Sequence, residues 1–278
     1  MIVPFKPTRP ARLAACVMLL VTAGCTPLKE VNTFALASQA TMDKAAASDG
    51  YGHFCFCNDS AIVYNEGGRM LRDFEFDCSP DTVADTILRN AYNIMSAYFA
   101  ALAKLADSKT AIKTKPLNCA VTAGTYGSLT ITSTEAGIFA GLTTAAQDLL
   151  TNNYKSKKIK EVLRTYHDTV DMVLGTLMLL THNFRDRVQL LANTYRRKMD
   201  FLVNKTDSPG LRLVLVTLYR DKTTKWTQIE GDYDRRDSAL AKIREGHEAL
   251  FKGVDNLREQ SLKKKVTGLA QNIIYLSQ

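Results

Sequence analysis

Apolar residues recur once per helical turn over the longest patterned stretch of the chain, from Lys158 to Val203. Ile159, Leu163, Tyr166, Val170, Val173, Leu177, Leu180, Phe184, Val188, Leu191, Tyr195, Met199 and Leu202 follow one another at three- or four-residue steps, the α-helical repeat. At about 1.5 Å per residue this stripe predicts a helix of roughly 65 Å, longer than a compact domain of this size needs. Thr206-Asp207-Ser208-Pro209-Gly210 then breaks the pattern with a concentrated turn signal. A second long helix is expected to return antiparallel, clearest at Leu240, Ile243, His247, Leu250, Val254 and Leu257. Leu262, Val266, Leu269, Ile273 and Leu276 resume one position out of phase, a stutter that predicts a small bend near Gln260.

Shorter elements precede the stripe. Ser79-Pro80-Asp81 joins a capping residue, a proline suited to the first turn and an acid near the positive end of a helix. Val83, Ile87, Ala91, Ile94, Tyr98, Leu102 and Leu105 carry that helix to about Ala106. Lys109 to Thr132, with Pro116 and Cys119, is less regular, and Ser133 to Asn152 is helical again. Thr33 to about Ser48 reads as an Ala-rich helix. Residues 51–77 alternate like strands, with Ala61–Tyr64 and Met70–Phe76 flanking a hairpin turn at Asn65-Glu66-Gly67-Gly68. The expected fold is mainly α: an elongated antiparallel helical bundle with long coiled-coil-like helices and a small disulfide-stapled β element. Residues 34–278 form one domain in this reading, made of a β and cysteine region (51–78), shorter helices (79–153) and a long helical hairpin (158–277).

Composition agrees with long regular elements. The 278 residues are 46% hydrophobic and 23% charged, too apolar for a disordered chain, and hold only 15 glycines and 7 prolines. The N-terminus is different in kind. Lys6, Arg9 and Arg12 precede an uncharged run, Leu13 to Thr22, that is too short to span a bilayer and has the form of a secretory signal. It ends in Val21-Thr22-Ala23-Gly24-Cys25, which resembles the lipobox of bacterial lipoproteins, with Thr22 standing where leucine is more usual. The resemblance covers this leader alone. It implies a signal peptide at 1–24, a lipid (palmitate-type acyl chains) on Cys25, a tether at 25–33, and firm attachment to a membrane. By the same family's sorting pattern, Thr26 after the cysteine implies the outer membrane of a Gram-negative envelope, facing the periplasm, with surface display as an alternative.

Export changes how charge and cysteine are read. The formal charge of +8 becomes +5 once the three leader cations are removed, leaving 33 basic and 28 acidic residues. Nucleic acid is not an expected partner in that compartment; anionic lipid heads or cell wall are the more natural neighbours. With Cys16 in the leader and Cys25 lipidated, Cys55, Cys57, Cys78 and Cys119 remain as disulfide candidates, a bond between Cys55 and Cys57 being disfavoured by its very small ring. Strand alternation would also place His53, Cys55 and Cys57 on one face, an alternative metal set, although Cys-x-Cys is not the usual zinc spacing.

Candidate chemistry is sparse. His247 sits on an apolar face as a core histidine, while His167 and His182 lie near the edges of the stripe without an acid-and-nucleophile constellation, Asp168 and Asp171 near His167 being ordinary exposed helix positions. The basic clusters Lys155, Lys157, Lys158 and Lys160, Arg196-Arg197-Lys198 and Lys263-Lys264-Lys265 read as solvated faces, with contact to anionic lipid or wall as the alternative. From Pro116 to Gln147 the only charge is Glu135, and Gly137 and Gly141 make a small-x₃-small pair, expected to be a buried, closely packed helix. No nucleophile elbow, zinc-protease motif or phosphate-cradling loop is present, and no cofactor is expected. The function expected is a structural or protein-interaction (scaffold or assembly) role, with an envelope protein partner or a homo-oligomer. One alternative is a membrane-active, immunity or exclusion lipoprotein using residues 116–147, and another is an envelope enzyme.

Overall fold

A helical stripe this long needs a second apolar surface along its length, and the chain supplies one from its own next element. The computed structural model describes residues 28–48, 79–111, 120–126, 129–152, 154 and 158–278. Within these, the order is α1 (Lys29–Ala47), α2 (Ser79–Ala106), β1 (Gly124–Tyr126), β2 (Leu129–Ile131), α3 (Ser133–Thr151), α4 (Lys158–Lys205), α5 (Pro209–Lys252), a 3₁₀ turn (Val254–Asn256) and α6 (Gln260–Leu276). The described part is therefore mainly α, as expected.

The α4 helix is 48 residues long and α5 is 44, about 72 and 66 Å of helix. Between them, Ser208 caps α5 by accepting a hydrogen bond from the Leu211 N–H at 3.4 Å, and Pro209 occupies the first turn, where its missing N–H costs nothing. Partners across the pair run in opposite order: Asp171 with Arg244, Arg185 with Asp234, and Tyr195 with Trp226, with Arg164 reaching Asp255 of the 3₁₀ turn just beyond α5. The helices are antiparallel, and Ile159, Leu163, Val170, Val173, Leu177, Leu180, Phe184, Val188 and Met199 of the predicted stripe are buried.

The body of the bundle forms around α2, in which Ala91, Ile94, Met95, Tyr98, Phe99, Ala101, Leu102 and Ala103 have no exposed surface. On one side α1 runs antiparallel to it, held by Asn32 Nδ2 donating to the Ala103 carbonyl and Ser96 Oγ donating to Asp43 Oδ1, both at 2.9 Å. On another, α3 brings its C-terminal end to that of α2, where Lys104 Nζ donates to the Leu150 carbonyl at 2.6 Å. A capping box starts α3: Glu135 N–H donates to Thr132 Oγ1 at 3.2 Å, and Thr132 N–H donates back to Glu135 Oε2 at 2.8 Å.

Four sequence expectations change. The helix expected from Thr33 begins at Lys29, inside the expected tether, and Leu28 N–H already donates to the Ala106 carbonyl at 3.0 Å. The small bend near Gln260 is a reversal. Gly253 ends α5 and the 3₁₀ turn follows, so α6 folds back along α5 with Lys265 beside Glu245. The expected hairpin over 158–277 is therefore the α4–α5 pair alone, and α6 runs beside α1, with Lys263 near Glu30 and Lys44 donating to the Gln278 carbonyl. The β structure seen among the described residues is the antiparallel pair β1–β2, registered Gly124↔Ile131, Thr125↔Thr130 and Tyr126↔Leu129, in a stretch expected to be irregular. Finally, α3 buries Phe139, Leu142, Ala145, Ala146 and Leu149, but Gly137 and Gly141 face open space, and a Cβ at either would meet nothing within 4 Å. The expected β element at 51–78 and all six cysteines lie outside the described residues.

Candidate functional site

The register of α4 against α5 sets His167 opposite His247. Their rings are stacked, 4° from parallel with centroids 5.7 Å apart, and His167 also stacks on Phe251 at 3.7 Å. His167 Nε2 is 3.0 Å from Glu248 Oε2, while its Nδ1 is buried without a hydrogen-bond partner. His247 is 1% exposed, and its Nε2 lies 2.9 Å from the Tyr98 hydroxyl of α2. Burial pushes the His247 pKa down to about 3, reinforced by neighbouring His167 and opposed by the Asp171 carboxylate. The ring is therefore neutral at ordinary pH. Burial also raises the Tyr98 phenol above its usual value, so it too stays neutral.

One turn along, Arg244 makes two hydrogen bonds to Asp171, Nε to Oδ1 at 2.6 Å and a terminal nitrogen to Oδ2 at 2.7 Å. The guanidinium holds the Asp171 carboxyl below its ordinary range. A groove of about 520 Å³ opens here, lined by His167, Asp171, Met178, Ala241, Arg244, Glu245 and Glu248. None of these side chains is a hydroxyl or thiol nucleophile, and the strongest donor is already matched to Asp171. Among the described residues no group of three or more His, Cys, Asp or Glu side chains converges as a metal site. His247 thus sits in the core, as its apolar face predicted, and half-buried His167 stacks on it at the wall of the groove. His182 lies apart from them, 3.4 Å from Asp186 and exposed. Lipidation candidate Cys25, disulfide candidates Cys55, Cys57, Cys78 and Cys119, and His53 lie outside the described residues.

A second feature lies at the other end of the hairpin. Among the described residues the contiguous buried core ends at Val188 on α4 and Tyr233 on α5, with half-buried Ile229 packed against it. Beyond it α4 continues for 17 residues to Lys205, about 26 Å of helix. This projecting part keeps a thin seam of its own, with Ala192, Met199 and Trp226 buried and Tyr195 edge-on to Trp226 at 4.6 Å. Its end is uncovered: Phe201, Leu211, Leu213, Val214, Val216 and Leu218 are all exposed, Leu213 to 69%. On α5, Leu211, Val214 and Leu218 share one flank and Leu213 and Val216 the opposite one. Periodicity gives no phase over this stretch, because LRLVLVTLY has no polar face. That lack of a polar face is itself a signal, since a helix apolar all round is normally buried. Among the described residues no helix is long and apolar enough to cross a membrane.

No family model, curated protein or solved structure matches this chain.

Proposed function

We propose that the chain is an outer-membrane lipoprotein of the bacterial envelope, held through Cys25, with a structural or assembly role in which the α4–α5 hairpin is the projecting shaft. Attachment rests on the leader ending in Cys25, and the observation that carries the structural role is the hairpin's length: its distal part outruns the core, where burial of the body no longer explains it. The base of the shaft, where Asp255 meets Arg164 and Leu262 packs on Gly253, adjoins the start of α1 through Glu30 and Lys263. The end of the body nearest Cys25 in sequence is thus the end away from the hairpin turn. From Arg164 to Lys205 the helix spans roughly 60 Å.

The alternative readings draw less support. A membrane-active role for 116–147 has to compete with the commitment of Phe139, Leu142 and Ala146 to the core. An envelope enzyme would need convergent acids free to act, and in the histidine groove Asp171 is held by Arg244, Glu245 by Lys242 and Lys265, and Glu248 by Lys252 and His167. Two measurements test the proposal. Labelled palmitate should enter the wild-type chain but not Cys25→Ser, which should leave the membrane fraction. Photocrosslinkers placed along the exposed faces of α4 and α5 in intact cells should recover a defined envelope component. A wild-type protein free of acyl label, or a compact monomer that crosslinks to nothing, would remove the reading.

A further inference from the structure

We propose that the free end of the α4–α5 hairpin docks on a bilayer of anionic phospholipid. This goes beyond the lipoprotein reading and holds whether or not Cys25 is acylated. Three observations converge on it. The first is the uncovered apolar end, with exposed side chains on opposite flanks of α5. A second helix packed against the hairpin would cover one flank and leave the other wet, whereas a fluid acyl boundary covers all sides.

The second is charge. Residues 196–225 hold eight basic side chains and three acids, a surplus of five within a chain whose whole formal charge is +8. Arg196 and Arg197 on α4 and Arg220 and Lys225 on α5 are exposed just behind the apolar residues, within about two turns of them on the side away from the hairpin turn. An apolar end with a cationic collar matches acyl chains overlain by anionic headgroups. The same surplus opposes end-to-end association of two copies, which would bring like charges together.

The third is dimension. Leu211 to Tyr219 is nine residues, about 12 Å of helix, less than the thickness of one hydrocarbon leaflet. Lys205, Asp207 and Arg212 lie at or beside the turn, and Arg212 donates to the Thr206 carbonyl at 2.7 Å. These charges hold the immersion to the boundary between headgroups and acyl chains, so the hairpin rests in one face of the bilayer without crossing it.

The test uses the full chain with Cys25→Ser, to remove any acyl contribution, and Leu213→Trp as a local reporter. Position 213 is 69% exposed and tolerates the change, and the native Trp226, 3% exposed, gives a constant background measured in the parent. On vesicles of phosphatidylglycerol and phosphatidylcholine, emission from the introduced indole should shift to the blue and be quenched by lipids brominated high on the acyl chain. The paired reversal Arg197→Glu and Lys225→Glu should lower the vesicle partition read by that reporter by about tenfold or more. Emission unchanged on anionic vesicles overturns the proposal, and so does equal response to vesicles of phosphatidylcholine alone. Blue-shifted emission in buffer also overturns it, assigning the hairpin end to a second copy if it grows with protein concentration, or to the chain itself if it does not.

Discussion

The Tyr98 hydroxyl and the Nε2 atom of His247 are 2.9 Å apart, joining α2 to α5 across 149 residues of chain, and both groups are fully buried. Because both partners are neutral, this is an ordinary hydrogen bond in a buried site. Removing one side leaves the other unsatisfied. Tyr98→Phe should cost about 1–3 kcal/mol, seen as a lower urea midpoint with an unchanged slope. A loss under about 0.5 kcal/mol would mean that His247 finds another partner.

The same burial makes His247 an acid-labile point. Its pKa is about 3 in the folded chain, against about 6.5 for an unperturbed histidine. Above the unfolded value neither state binds the proton and His247 adds no pH dependence. As pH falls through the window between the two values, only the unfolded chain takes it up, so stability drops by about 1.4 kcal/mol per pH unit for this one group. Urea midpoints between pH 7 and pH 5 should show the slope, and His247→Gln should flatten it. A slope that survives the substitution belongs to other groups.

Phe34 of α1 lies in a notch that only glycine provides on α5. A Cβ at position 246 would stand 2.2 Å from a Phe34 ring carbon. Gly246→Ala should destabilise by about 1–3 kcal/mol in thermal or urea unfolding, with partial recovery when Phe34→Leu is added. A neutral Gly246→Ala would contradict the seating of α1 against α5.

The exposed glycines of α3 should behave in the opposite way. With open space around both positions, Gly137→Ala and Gly141→Ala gain helix propensity and lose no contact. Each should raise stability by up to about 1 kcal/mol, read as a higher melting temperature. Destabilisation would reveal a helix packed on that face.

Sequence stripes locate the helices well because helical periodicity is a local property, and thirteen positions each about one helical turn from the last leave little choice of phase. The reversal after Gly253 reads as a bend in the sequence because a stutter and a break produce the same change of phase. What separates them is the packing of Leu262 on Gly253, which is a tertiary fact. The histidine pair is invisible in the sequence for a related reason: 80 residues separate His167 from His247, and only the register of α4 on α5 brings them together. His247 alone is legible, as a histidine between Ile243 and Leu250 on an apolar face. The small-residue pair on α3 misleads, since Gly-x₃-Gly permits close approach without requiring it.

In the fold, α6 lies beside α1, so the first and last helices described are neighbours, joined by Glu30 with Lys263 and by Lys44 with the carbonyl of Gln278. The hairpin of α4 and α5 is closed by a turn of a few residues and can form as soon as α5 exists. The α1–α6 contact instead closes a loop of more than two hundred residues, so its contact order is high and its formation slow. A chain delivered N-terminus first therefore presents α1 with its α6-facing side bare until α6 has been made. The shaft can form from its own two helices before the body is closed, and α6, seventeen residues long, is the element that covers the bare side of α1.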